Sequence, residues 1–166
     1  ARFGAKSSSW TFPAGGHLWF TYLERDEDVR RYQGQAFNYI AFDELTQHPT
    51  PFPWNYMRSR LRSADPTLPL FMRATTNPGG PGHGWVKALF IDPVPPNTPF
   101  DAVDDEGNVI MVDKDDLDFP PERRGKPLCQ RKFIPARLSD NPSLSTGGNY
   151  KANLLSLPEQ QRRQLL

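Results

Sequence analysis

The sequence predicts an α/β fold with a mainly parallel sheet and flanking helices. Two short apolar segments, at residues 37–42 and 68–75, have the length and composition of strands that are buried on both faces, as in a parallel sheet. Between them, residues 52–61 carry apolar side chains at helical spacing, with arginines toward the end. A helix that connects two such strands is typical of α/β domains.

The other elements are shorter, and a proline-rich, acidic stretch at residues 92–126 interrupts them. We expect this stretch to be a long excursion with a small hairpin around residues 106–108. From local composition and periodicity we also expect a loop or hairpin at 1–16, a strand at 17–23, a short helix at 24–31, a helix or strand at 84–91, a strand at 132–138, and helices at 150–157 and 159–166.

Composition limits the possible partners and compartments. The chain has 166 residues and a formal net charge of +1, so any contact with DNA must come from a local basic patch or from another part of the protein. Cys129 is the single cysteine, which excludes an internal disulfide. There is no apolar run of about 18 residues that would span a membrane. The chain starts without Met and stops inside a helical pattern, so we expect both ends to be cuts through a longer protein.

The clearest chemical signal is an apolar segment that ends in two carboxylates, Asp43 and Glu44. This is the Walker B pattern of P-loop ATPases. A buried parallel strand fixes its carboxyl end rigidly, and ligands of open α/β sheets bind beyond that edge. The first carboxylate can then hold Mg²⁺, and the second can orient or deprotonate the attacking water. An Asp-Glu pair after an apolar run also begins many ordinary loops and helices.

A second group of polar side chains, Thr75, Thr76 and Asn77, follows the next predicted strand. Hydroxyl and amide groups at that position can bond the γ-phosphate of ATP or the attacking water. A polar turn before Pro78 explains the same residues without any chemistry. Two neighbouring strands that both end in polar groups at the same edge favour the functional interpretation.

Together with their flanks, these segments resemble the terminase large subunit of bacteriophages, the motor that packages double-stranded DNA into procapsids. The resemblance covers nearly the whole chain apart from the excursion, and its most specific part is the run Thr-Thr-Asn-Pro-Gly-Gly-Pro-Gly-His that begins at Thr75. It implies a partial P-loop NTPase domain of the ASCE, RecA-like type at residues 1–142. Residues 143–166 would be a helical linker toward a nuclease domain.

The resemblance also implies roles for individual residues. Asp43 would be the Mg²⁺ carboxylate and Glu44 the catalytic one, with ATP as substrate. The coupling motif, which links hydrolysis to DNA movement, would consist of Thr75, Thr76 and Asn77. Arg31 and Arg30 are the candidates for an arginine finger that enters a neighbouring subunit's site, although a solvated helix face explains them equally well.

Two parts of such a motor are not in the sequence. No Gly-x-x-x-x-Gly-Lys-Ser/Thr run is present to cradle phosphates, and the metal-binding aspartates of the nuclease are missing. We therefore expect residues 1–166 alone to be inactive, and the full-length protein to be an ATPase. Its implied partners are double-stranded DNA, the portal protein and the small terminase subunit, in a homo-oligomeric ring on the procapsid in the host cytoplasm, with no membrane.

Two other classes of protein remain open. Another P-loop ATPase or helicase would share the strand followed by Asp-Glu, but it has no reason to carry the glycine-rich run after Asn77. A non-catalytic assembly or binding module would keep the sheet without the chemistry. Such a module, without a P-loop, should show no thermal shift with ATP and Mg²⁺, because stabilisation requires the ligand to bind the native state.

Overall fold

The computed structural model describes residues 2–4, 8–104, 108–117, 119–145, 148–159 and 162. Over these residues the chain is a mixed α/β protein with short elements. The strands are β1 (Arg2–Gly4), β2 (Ser9–Thr11), β3 (His17–Trp19), β4 (Tyr39–Phe42), β5 (Phe71–Ala74), β6 (Phe100–Asp101) and β7 (Gln130–Arg131). The α-helices are α1 (Phe52–Arg58), α2 (His83–Val86), α3 (Pro142–Ser145) and α4 (Asn149–Leu155).

Short helices of other types fill several connections. A π-helical segment, Lys87–Ile91, continues directly from α2. The 3₁₀ helices are Asp26–Tyr32, Leu45–Gln47, Pro121–Arg123 and Leu138–Asp140. None of the helices in the described ranges has both the length and the apolar character that crossing a bilayer requires.

The strands that the structure describes form three small sheets, of which one is parallel. Strands β1, β2 and β3 form an antiparallel sheet, and β6 pairs with β7 in the same manner. Strand β4 lies beside β5. Phe71 N–H donates to Asn38 O at 3.2 Å and Thr75 N–H donates to Phe42 O at 2.9 Å, so both strands advance together, as in a parallel pair. The prediction of a mainly parallel sheet is therefore correct for β4 and β5 and wrong for the other strands.

The chain divides into two compact units. The first unit consists of Ala1–Ala41 and Phe52–Arg73, and the second of Phe42–Pro51 and Ala74–Leu166. In the first unit, α1 packs against the 3₁₀ helix Asp26–Tyr32. Trp54 and Met57, which are three positions apart on one face of α1, are buried, as is Val29 of the 3₁₀ helix. This is the helix that the apolar spacing at residues 52–61 predicted.

The second unit has a core that includes the end of β4 and the start of the following turn. Phe42 and Leu45 are buried there, and Val86 of α2 is buried as well. Apolar side chains from the later part of the chain are also buried in this unit: Ala102, Val112 and Leu154. The predicted boundary between residues 142 and 143 stays a prediction.

Strands β4 and β5 are less buried than expected. Ile40 and Phe42 are buried, whereas Tyr39 and Ala41 are exposed, so β4 alternates instead of being covered on both faces. Along β5, Met72 is the most protected residue and is only half-buried. A sheet of two strands, which is what the described residues form here, leaves one face of β4 and most of β5 open to solvent.

Other predicted elements differ from the structure in extent or type. The strand predicted at residues 132–138 does not form, because β7 ends at Arg131 and Pro135 has no N–H to donate to a ladder. Strand β3 covers only part of the predicted 17–23. The segment 84–91 is helical, and α4 confirms the helix at 150–157. The predicted hairpin tip, 106–108, and the helix at 159–166 fall largely outside the described residues, although Val103 and Val109 form an antiparallel bridge.

Candidate functional site

The carboxyl ends of β4 and β5 meet in the second unit. Thr75 Oγ1 donates a hydrogen bond to Asp43 Oδ1. Backbone hydrogen bonds also connect the two strand ends: Leu45 N–H donates to Thr75 O at 2.9 Å, and Thr75 N–H donates to Phe42 O at 2.9 Å. The structure thus brings together the two motifs that the sequence analysis singled out. Parallel pairing explains this, since the carboxyl ends of parallel strands lie at the same edge.

Glu44 has an unusual backbone conformation for a residue with a side chain. Its φ of 50° and ψ of 53° lie in the left-handed region, which costs roughly 1–2 kcal/mol for an L-residue other than glycine. The side chain is exposed, and it makes no hydrogen bond to any described residue. Residues with a strained backbone of this kind recur at functional sites.

Thr46 is a buried polar residue that the sequence analysis missed. Its exposed fraction is 3%, and its hydroxyl lies 2.7 Å from Thr76 Oγ1 and 3.2 Å from Asn77 O. Its backbone N–H donates to Thr76 Oγ1 at 3.2 Å. The residue type gives no signal of this burial, because a threonine at a strand end is usually a solvated turn residue. The contact depends on the pairing of β4 with β5, which places the two strand ends side by side.

The glycine-rich loop after Asn77 packs closely on the turn that follows Glu44. Gly82 N–H donates to Thr46 O at 2.8 Å. A Cβ atom on Gly80 would lie 2.7 Å from Thr46 O, and one on Gly82 would lie 2.1 Å from His48 O. Both distances are too short for a side chain. The glycines therefore permit a backbone contact that another residue would prevent.

Two side chains of α2 hold this loop in place. His83 Nδ1 accepts a hydrogen bond from Gly79 N–H at 3.0 Å, which puts the proton of a neutral ring on Nε2. Trp85 Nε1 donates to His48 O at 2.9 Å. Trp85 therefore anchors the loop.

The side chains at the two strand ends offer oxygen atoms as possible metal ligands. Asp43 contributes one carboxylate beside the Thr75 hydroxyl, and no group of three or more His, Cys, Asp or Glu in the described ranges is arranged to hold a metal ion. An ion at this place would complete its shell with water and with phosphate oxygens, which is the usual manner in which Mg²⁺ binds. The described side chains at this place thus offer an ion one carboxylate and one hydroxyl oxygen.

The two candidate arginine fingers lie in the first unit, on the 3₁₀ helix Asp26–Tyr32. Arg31 is held locally: Nη2 donates to Tyr22 O at 2.6 Å and lies 3.6 Å from Asp28 Oδ2. The guanidinium of Arg30 lies over the ring of Phe52, 5.9 Å from its centroid. Arg30 therefore has fewer local bonds to break than Arg31, and both stay predictions as fingers.

Asp43, Glu44 and the three residues of the predicted coupling motif are thus neighbours within one unit. The Thr75 hydroxyl bonds to Asp43, the Thr76 hydroxyl bonds to Thr46, and the Glu44 carboxylate makes no hydrogen bond to a described residue. Comparisons with protein-family models, with curated proteins and with solved structures find no match to this chain.

Proposed function

We propose that this chain is part of the ATPase of a phage terminase large subunit, an ATP-driven motor that packages double-stranded DNA into procapsids. The observation that carries the proposal is the hydrogen bond from Thr75 Oγ1 to Asp43 Oδ1. It joins the Walker B pattern to the predicted coupling motif across 32 positions of sequence. In a P-loop ATPase of the ASCE type, these two strand ends lie side by side at the nucleotide.

The roles of the carboxylates follow from their surroundings. Asp43 and the Thr75 hydroxyl are the residues that would hold Mg²⁺, and the ion would neutralise charge that develops on the phosphate oxygens. The left-handed turn fixes the backbone at Glu44, and its side chain makes no hydrogen bond to a described residue. Its carboxylate is therefore available to a water molecule. It orients that water for in-line attack on the γ-phosphorus and accepts its proton as the bond to ADP breaks.

The predicted coupling motif has the contacts that a sensor of this step needs. Thr75 bonds to Asp43, whereas Thr76 bonds to the turn beyond Glu44. Loss of the γ-phosphate at Asp43 would therefore change the positions of Asn77 and of the glycine-rich loop. In the motor this change would be passed to the parts of the protein that grip DNA. The phosphate-binding loop itself must come from outside residues 1–166, because the sequence has none.

The remaining assignments rest on the resemblance. A ring of identical subunits on the procapsid, contacts with the portal protein and the small subunit, and a nuclease in another domain belong to the same proposal. Arg30 is the better candidate for the arginine that acts in trans, because a cation–π contact holds it and Arg31 has several bonds.

The test is ATP hydrolysis by the whole gene product that contains these residues, with and without linear double-stranded DNA. We expect DNA-stimulated hydrolysis in the wild type. Glu44→Gln should reduce kcat by a factor of at least 10², because it removes the base while keeping the shape of the side chain. Glu122→Gln is the matched control, since it removes an exposed carboxylate elsewhere in the second unit. Equal activity of Glu44→Gln and the wild type would reject the assignment.

A further inference from the structure

Thr46 connects three segments of the second unit. Its hydroxyl bonds to Thr76 Oγ1 at 2.7 Å and to Asn77 O at 3.2 Å, and its backbone O accepts from Gly82 N–H at 2.8 Å. Thr46 lies two residues after Glu44, in the short helix Leu45–Gln47. A single buried side chain therefore links the turn that carries Glu44 to the predicted coupling motif and to the loop before α2.

The hydroxyl is the part of Thr46 that makes the link. Within the described structure, Thr76 Oγ1 accepts a hydrogen bond from the backbone N–H of Thr46 and also bonds to the Thr46 hydroxyl. A valine at this position would keep the shape of the side chain and remove one bond to Thr76 and the bond to Asn77 O. The oxygens of Thr76 and Asn77, which are exposed residues, would turn to water, because the buried side chain at position 46 would no longer offer them a partner. The bonds from Thr46 N–H to Thr76 Oγ1 and from Leu45 N–H to Thr75 O would remain, so the coupling segment would be held more loosely relative to Glu44.

We propose that Thr46 is a positioning residue that fixes the coupling segment, Thr76 and Asn77, relative to Glu44. The expected effect on ATP hydrolysis rests on the proposed ATPase function, whereas the link made by Thr46 is a property of the fold. Thr46 touches neither water nor nucleotide in this role. It acts by holding the turn and the coupling segment in one arrangement, so that the attacking water and the γ-phosphate are presented together.

The experiment compares Thr46→Val with Thr46→Ser in the whole gene product. Hydrogen exchange of backbone amides is measured first, in the absence of nucleotide. Thr46→Val should increase exchange at residues 75–83 by about tenfold or more, and α4 should keep its wild-type rate. Thr46→Ser restores a hydroxyl and should return residues 75–83 close to the wild-type rate. Thr98→Val is the control, because Thr98 is exposed in the same unit.

Kinetics of ATP hydrolysis then test the consequence. Thr46→Val should lower kcat by about 10- to 100-fold and leave KM within about twofold, since misplacement of reacting groups affects the chemical step more than binding. Thr46→Ser should recover most of kcat. A global loss of packing would instead increase exchange in α4 as well.

Failure of this inference can be told apart from failure of the proposed function. Unchanged exchange at residues 75–83 in Thr46→Val overturns the link, whatever the enzyme activity. Changed exchange with wild-type kcat overturns the positioning role. Absence of ATP hydrolysis in the wild type rejects the proposed function, and the exchange result still decides whether Thr46 holds the coupling segment.

Discussion

Glu44 combines a strained backbone with a side chain that makes no hydrogen bond in the described part of the structure. Left-handed φ and ψ values are unfavourable for glutamate, so a selection for stability alone would favour glycine at this position. The conformation turns the chain sharply after β4 and sends the next residues toward Thr76. A residue that is poor for stability and well placed for chemistry is what the proposed catalytic role predicts.

Substitutions at Glu44 test this backbone conformation directly. We expect Glu44→Gly to be more stable than Glu44→Ala by about 1 kcal/mol, because only glycine adopts positive φ without steric cost. In an ordinary exposed conformation the order would be reversed, since glycine loses more entropy on folding. The free energy of unfolding in urea measures the difference. Alanine as the more stable variant would show that residue 44 does not have positive φ in solution.

Asp28 in the first unit gives a prediction about pH. Backbone N–H groups of Arg25 and Glu24 donate to its carboxylate and hold the pKa of Asp28 below the ordinary value of 3.8, with help from the Arg31 guanidinium. A lowered pKa in the folded state stabilises the protein above 3.8, and this contribution disappears as the pH falls through the folded pKa.

The Asp28→Asn variant should therefore be less stable than the wild type at neutral pH, and this difference in stability should disappear in strong acid. Thermal unfolding between pH 2 and pH 7 measures it. Glu27→Gln, next to it on the same helix and exposed, is the control for the change in charge. Parallel pH profiles for wild type and Asp28→Asn would show that these backbone bonds do not form.

The glycine-rich loop and α2 form one element that packs on the turn after β4. Gly82 is buried there and leaves no room for a Cβ beside His48 O, whereas Gly80 leaves none beside Thr46 O. Composition alone predicted a loop at these glycines. It did not predict which of them contacts another strand end, because that depends on the pairing of β4 with β5.

Two glycine substitutions separate close packing from helix propensity. Gly82→Ala should destabilise the protein by about 1–3 kcal/mol, because its Cβ would lie 2.1 Å from His48 O. Gly84→Ala lies in α2 with nothing within 4 Å of a Cβ, so it should be neutral or stabilise by up to about 1 kcal/mol. Urea unfolding measures both. Equal stability of the two variants would contradict the packing of this loop.

Patterns of a few residues predicted the local elements better than they predicted the sheets. The helix α1, the strand β4 and the polar ends of β4 and β5 follow from apolar periodicity and from the run of side-chain types. Burial of β4 on both faces does not follow, since it depends on how many strands and helices the rest of the chain supplies. The hydroxyl of Thr46 became buried for a similar reason, through a contact with Thr76 that lies 30 positions away.

Across the chain, charge is distributed unevenly between the two units. The first unit contains nine Lys and Arg against five Asp and Glu, and the second contains eleven against fourteen. The net charge of +1 hides this difference. A DNA contact of the proposed motor would therefore be sought on the first unit, where the excess positive charge favours phosphate groups. The carboxylates of the candidate site lie in the second, acidic unit.

The most direct test of the central claim is a single turnover of ATP. The whole gene product is mixed with limiting ATP and Mg²⁺, and bound ATP and released phosphate are followed together. We predict that the wild type converts its bound ATP, whereas Glu44→Gln binds ATP with similar affinity and releases phosphate at least about 10²-fold more slowly. Release of phosphate by Glu44→Gln at the wild-type rate would show that Asp43 and Glu44 form an ordinary turn at the end of a strand.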